Sequence, residues 1–184
     1  EADRAAGVLG VVTRENMEFP DAALVNTPDT RTKLARMIRK LQPRVVIAPA
    51  PQGKHPDHTA ATQLIRDACF VAGLAKVDPV TPAFRPSKVI HTIAYREDYE
   101  KPTFVVDITD VFEQKLEAIK CYSSQFDQAI AAGEVFPNGE QLYEIVRHQA
   151  AHYGSLIRVK YGEPFWTSET VMINDVVAMG VSTY

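Results

Sequence analysis

The sequence predicts an α/β domain with a mostly parallel sheet covered by helices on both sides. Three observations carry this. Short apolar runs suited to strands alternate with longer segments whose apolar residues recur at helical spacing. The run Val45-Val46-Ile47-Ala48 is apolar throughout, the pattern of a parallel strand buried on both faces. Finally, 184 residues with 46% hydrophobic and 23% charged content suit one domain with a real core, read as residues 1–184.

Taken in order, Glu1-Ala2-Asp3-Arg4-Ala5-Ala6 reads as the middle of an amphipathic helix with no capping residue ahead of it. A strand and the start of that helix are therefore expected upstream. Gly10 is its C-cap, and Val11-Val12-Thr13 begins a short strand. Phe19-Pro20-Asp21 opens a loop. Thr27 caps the next helix with Pro28 in its first position. Leu34, Met37, Ile38 and Leu41 form its buried stripe, and Lys33, Arg36, Arg39 and Lys40 its wet side. Pro43 ends it, and the Val45–Ala48 strand follows.

After a Pro/Gly loop, a helix is expected from His55-Pro56-Asp57-His58 to Gly73, with Asp57 available as its cap. Lys88 to Tyr95 and Phe104-Val105-Val106 are further strands. Asp110-Val111-Phe112-Glu113 has the capping-box pattern, opening a helix through Leu116 and Ile119. Another helix spans about Glu140 to Tyr153 and stops at Gly154, and Thr170 to Ile173 suits an edge strand. The expected architecture is a Rossmann-like three-layer sandwich, lacking its N-terminal strand in the chain given.

Composition narrows the function. The net charge of −3 and the scattering of Lys and Arg among acids argue against a nucleic-acid groove. No run of about 18 apolar residues suits a membrane span. Cys69 and Cys121 sit among apolar neighbours, as free thiols do in a reducing compartment. A soluble, cytoplasmic protein acting on a neutral or mildly anionic small molecule is expected.

The chemistry concentrates in His55-Pro56-Asp57-His58. In open α/β sheets, ligands bind beyond the carboxyl ends of the strands, and this segment follows the Val45–Ala48 strand directly. Imidazole nitrogen is a good zinc ligand, and a neighbouring carboxylate can orient or charge a second imidazole. The bland alternative is a helix cap with two surface histidines beside it. A binuclear H-x-H-x-D-H centre would need a first His where Gly53 stands. His148 and His152, spaced i, i+4 among polar neighbours, read as a surface face.

Pro49-Ala50-Pro51-Gln52-Gly53-Lys54-His55-Pro56-Asp57-His58 resembles the second signature of the LmbE-like (PIG-L) zinc de-N-acetylases. Phe19-Pro20-Asp21 is similar to that family's L-P-D turn, and Lys101-Pro102 through Asp107-Ile108 to its K-P-x-x-x-x-D-I segment. Lys115 to Phe126 resembles its K-x-x-A-x-x-x-Y-x-S-Q-F helix, and Tyr153-Gly154 with Val159 to Phe165 its closing G-V-K-Y-A-E-x-F segment. The Tyr161–Phe165 end looks most like the branch that deacetylates GlcNAc-malate in bacillithiol synthesis.

The resemblance implies a Zn2+ enzyme that removes acetyl from an N-acetylglucosaminyl compound. His58 would be a metal ligand. His55 would stabilise the oxyanion or protonate the leaving amine, with Asp57 holding it. Lys54 would contact an anionic aglycone, and Tyr143 would add a second donor to the oxyanion. The family's first signature, A-H-P-D-D-x-E, which supplies two further ligands and the general base, is expected upstream of Glu1. The family also implies a homo-oligomer, a trimer or hexamer. The competing reading is a non-catalytic sugar-binding or interaction protein of the same fold that lost the first metal motif.

Overall fold

The computed structural model describes residues 1–93, 101–126 and 142–181. Its elements are α1 (Ala2–Leu9), α2 (Pro28–Leu41), β1 (Val45–Pro49), α3 (Pro56–Ala72), β2 (Lys88–Thr92), β3 (Phe104–Asp107), α4 (Phe112–Lys120), α5 (Ser123–Phe126), α6 (Leu142–Leu156) and β4 (Gly162–Trp166). The strands form one sheet in the order β1-β2-β4-β3. β1 and β2 are parallel, Val45 opposite Lys88 through Pro49 opposite Thr92. β4 is antiparallel to β2, His91 facing Trp166 and Thr92 facing Phe165.

The α/β class therefore stands, but the sheet is mixed rather than mostly parallel. Patterning locates strands without fixing their direction. A parallel pair needs a helical crossover, and among the described residues the chain passes through α4, α5 and α6 between β3 and β4.

The contacts divide the chain into two compact units. The first comprises residues 1–17, 105–164 and 173–184. Here α1 packs on α4 and ends as predicted at Gly10, whose φ of 69° suits a residue without a Cβ. The Val11 N–H donates to the Ala6 carbonyl at 2.9 Å to close that end. The expected Val11–Thr13 strand is absent for this reason, and Val12 is 99% exposed.

α4 lacks the expected capping box. It follows a 3-10 turn over Thr109–Val111, where Asp107 Oδ1 accepts the Thr109 N–H at 2.9 Å. Phe112, fully buried, stacks on Tyr161 with centroids 3.8 Å apart. α6 runs past Gly154 to Leu156 instead of stopping at it. Gly154 serves close packing: a Cβ there would lie 2.8 Å from the Val159 carbonyl oxygen. Glu140, in the predicted span of this helix, lies outside the described residues.

The second unit comprises residues 18–104 and 165–172. Thr27 caps α2 with Pro28 in its first turn, as the sequence predicts, and Thr30 returns the hydrogen bond to the Thr27 N–H. Ala35, Ile38, Ala68, Cys69 and Ala72 bring α2 and α3 together, with Val46 and Val89 of the sheet packed against them. Burial pushes the Cys69 thiol up to about 11, so it behaves as an apolar side chain.

Arg39 is the main departure within the helices. It was expected on the wet side of α2 but is 2% exposed. Its guanidinium donates to the carbonyls of Ala72, Leu74, Asp78 and Thr81 at 2.6–2.9 Å, closing the end of α3. β1 is also less covered than its apolar run suggests. Ala48 is buried, but Val45 and Ile47 are 41% and 56% exposed on what is the outer strand of the sheet. No strand forms over residues 170–173, where Met172 is 81% exposed. Ala94 and Tyr95, expected to extend β2, lie outside the described residues.

Candidate functional site

The site is built on the end of β1. The Pro49 carbonyl lies 2.8 Å from the Thr62 hydroxyl and 2.8 Å from His91 Nδ1. A carbonyl only accepts, so the His91 proton sits on Nδ1. His91 is 1% exposed and lies 5.3 Å from the Trp166 ring. Burial pulls its pKa below the ordinary value. The Pro49 carbonyl opposes that shift, and the Arg66 charge adds to it. Sequence reasoning missed His91. Its signal was a single polar ring in the apolar strand Lys88–Thr92, opposite Ala48.

Beyond Pro49 the chain turns through residues 50–54 into α3. His55, not Asp57, is the N-cap: its Nδ1 accepts the Asp57 N–H at 3.2 Å. Pro56 fills the first helical position, where a missing N–H costs nothing. His58 falls in the first turn, as expected, its N–H donating to the His55 carbonyl at 3.0 Å. The two imidazoles are exposed, with centroids 5.2 Å apart and planes tilted by 36°. Because His55 Nδ1 accepts, the neutral ring carries its proton on Nε2.

The Asp57 carboxylate faces another segment. Its Oδ2 accepts the Ala22 N–H at 2.7 Å and its Oδ1 accepts the Leu24 N–H at 3.1 Å. The sequence reading had this carboxylate hold His55. The link between the two residues instead runs through the Asp57 backbone N–H, which donates to His55 Nδ1.

The structure thus brings His55, Asp57 and His58 onto one helix end. Lys54 lies just before it on an exposed loop position. Tyr143 is half-buried in the first turn of α6, in the other unit, with the Lys120 ammonium 5.8 Å from its ring. His148 and His152 are exposed on α6, in keeping with a surface face.

Among the described residues no three His, Cys, Asp or Glu side chains converge on one metal position. These residues fit zinc in part: His58 offers an exposed imidazole beyond the end of β1, short of the three protein ligands of a catalytic centre. The α3 N-terminus adds backbone N–H groups that favour negative charge nearby. An Nε2–H donor, a free imidazole and a helix N-terminus suit a reaction in which charge develops on a carbonyl oxygen.

Comparison with known proteins gives the same direction. The sequence model of the GlcNAc-PI de-N-acetylase family, PIG-L, matches residues 1–69. Diacetylchitobiose deacetylase of Thermococcus kodakarensis is 33% identical over 174 residues, 89% of this chain. The chain spans 59% of that relative's length. The conserved protein TT1542 from Thermus thermophilus superposes with a TM-score of 0.81 at 34% identity, over 93% of this chain and 72% of that one. The N,N'-diacetylchitobiose deacetylase from Pyrococcus horikoshii, solved with its inhibitor MPG, gives 0.70 at 30% identity, over 89% and 60%. Among the described residues, no helix is long and apolar enough to cross a membrane.

Proposed function

We propose that the chain, whose residues 1–69 match the model of the PIG-L family of de-N-acetylases, is itself such an enzyme and hydrolyses the N-acetyl group of an N-acetylglucosaminyl compound, with a bound zinc ion. The observation that carries this is the placement of His55, Asp57 and His58 on the helix end beyond β1. In the reaction, water oxygen bonds to the acetyl carbon, the C–N bond breaks, the amine nitrogen gains a proton and acetate leaves. Zinc, when bound, supplies a Lewis acid for the carbonyl and lowers the pKa of water.

His58 is the ligand this segment contributes. His55 presents Nε2–H to the carbonyl oxygen or the leaving nitrogen, held there by its own cap on α3. The α3 N-terminus favours the same negative charge. Lys54 contacts an anionic aglycone where the substrate has one. The finer substrate proposed is GlcNAc-malate. N,N'-diacetylchitobiose, named in the relatives, is the natural comparison.

The test is metal analysis of the natural full-length protein together with amine release from both substrates. The expected result is about one zinc per chain and turnover of at least one substrate. His58→Ala should remove most of the metal, and full zinc occupancy with full turnover in that variant would overturn the assignment.

A further inference from the structure

The Asp57 carboxylate is fixed on a segment more than thirty residues away. Ala22 and Leu24 donate their N–H groups to its two oxygens, at 2.7 and 3.1 Å. Ala22 has a φ of 56°, in the left-handed region, which is unfavourable for a residue with a Cβ. Two hydrogen bonds to a carboxylate, each stronger than a neutral one, can hold such a conformation. Glu18, at the start of the same loop, is also left-handed, with a φ of 55°. The loop has a second anchor at Phe19, over whose ring the Lys33 ammonium of α2 lies at 5.1 Å. Between the anchors, Asp21, Ala22 and Ala23 are exposed.

We propose that Asp57 is a positioning residue whose carboxylate clamps the 19–24 loop beside the His55–His58 segment, so that this loop, with the exposed Asp21, forms one wall of the substrate site. This rests on the deacetylase reading for its substrate. The clamp itself stands on the two hydrogen bonds. Under it, the carboxylate affects substrate binding through the loop, and the His55 orientation is left to the Asp57 backbone N–H.

Amide hydrogen exchange tests the clamp without reference to activity. In the wild-type protein the Ala22 and Leu24 amides should exchange at least about tenfold more slowly than those of Asp21 and Ala23. Asp57→Ala should remove that protection. Asp57→Asn should remove part of it, because the amide oxygen keeps one acceptor while the NH2 group faces the other donor.

In kinetics, Asp57→Ala should raise KM about tenfold at unchanged metal content, an effect additional to any loss in kcat. Equal exchange at residues 21–24 in the wild type overturns the clamp, even if the variants fail to fold. So does a loss confined to kcat with the Ala22 and Leu24 amides still protected. Absence of turnover by the wild-type enzyme sinks the deacetylase reading instead and leaves the exchange result standing.

Discussion

His55 has two tasks that one substitution cannot separate but two can. Its Nδ1 caps α3, and under the proposed function its other nitrogen serves the substrate. His55→Ala loses both, and loss of an N-cap costs about 1 kcal/mol. Asparagine is a good cap but a poor proton donor, so His55→Asn should unfold in urea within about 0.5 kcal/mol of wild type. Both variants should retain the metal and lose about 100-fold or more in kcat. Unchanged turnover in His55→Asn would refute the chemical role.

His91 makes a pH prediction. Its folded pKa is below the ordinary 6.5, so above that pH both states are neutral and the ring adds no pH slope. As pH falls through 6.5 the unfolded chain takes the proton first, and the folded state loses stability until the lowered pKa is reached. The melting temperature of wild type relative to His91→Asn should therefore fall as the pH drops below about 6.5. A difference that is flat across that range would refute it. The histidine tetrapeptide was legible in the sequence because its chemistry is local. His91 and the Asp57 carboxylate were not, because each is defined by a partner 33–42 residues away.

At the scale of elements, helices were read well where a local motif fixes an end, as Thr27 and Pro28 do for α2 and Gly10 for α1. Strands were read less well, since a strand exists only through its neighbour. Val11–Thr13 has β-forming residues, yet its first N–H closes a helix. Arg39 shows the same limit. Charge and spacing put it in water, but four carbonyls at the end of α3 and in the following loop offer a better match to its fork of donors. Replacing it by methionine keeps the volume and leaves those carbonyls without their donor. Arg39→Met should lose about 3 kcal/mol in equilibrium urea unfolding, more than a surface change allows. A loss below about 0.5 kcal/mol would return Arg39 to the wet face.

At the scale of the whole molecule, the class of fold was legible because alternation of strands and helices is a property of the entire sequence. The direction of β4 was not, because it depends on how the chain returns after α4 and α6. The same scale carries the oligomer expectation. Val176, Val177 and Val181 are 77%, 94% and 68% exposed. Single exposed apolar residues are ordinary, but three within six residues offer apolar area for another surface to cover. A second copy is the occupant proposed here. Sedimentation of the natural protein should then give a mass at least twice that of one chain. Charging the run with Val176→Lys and Val177→Lys should shift the population toward monomer by about tenfold or more in dissociation constant, since each apolar side chain buried contributes roughly 1.5 kcal/mol or more. A wild-type protein that sediments as a monomer would remove the second copy as the partner of this run.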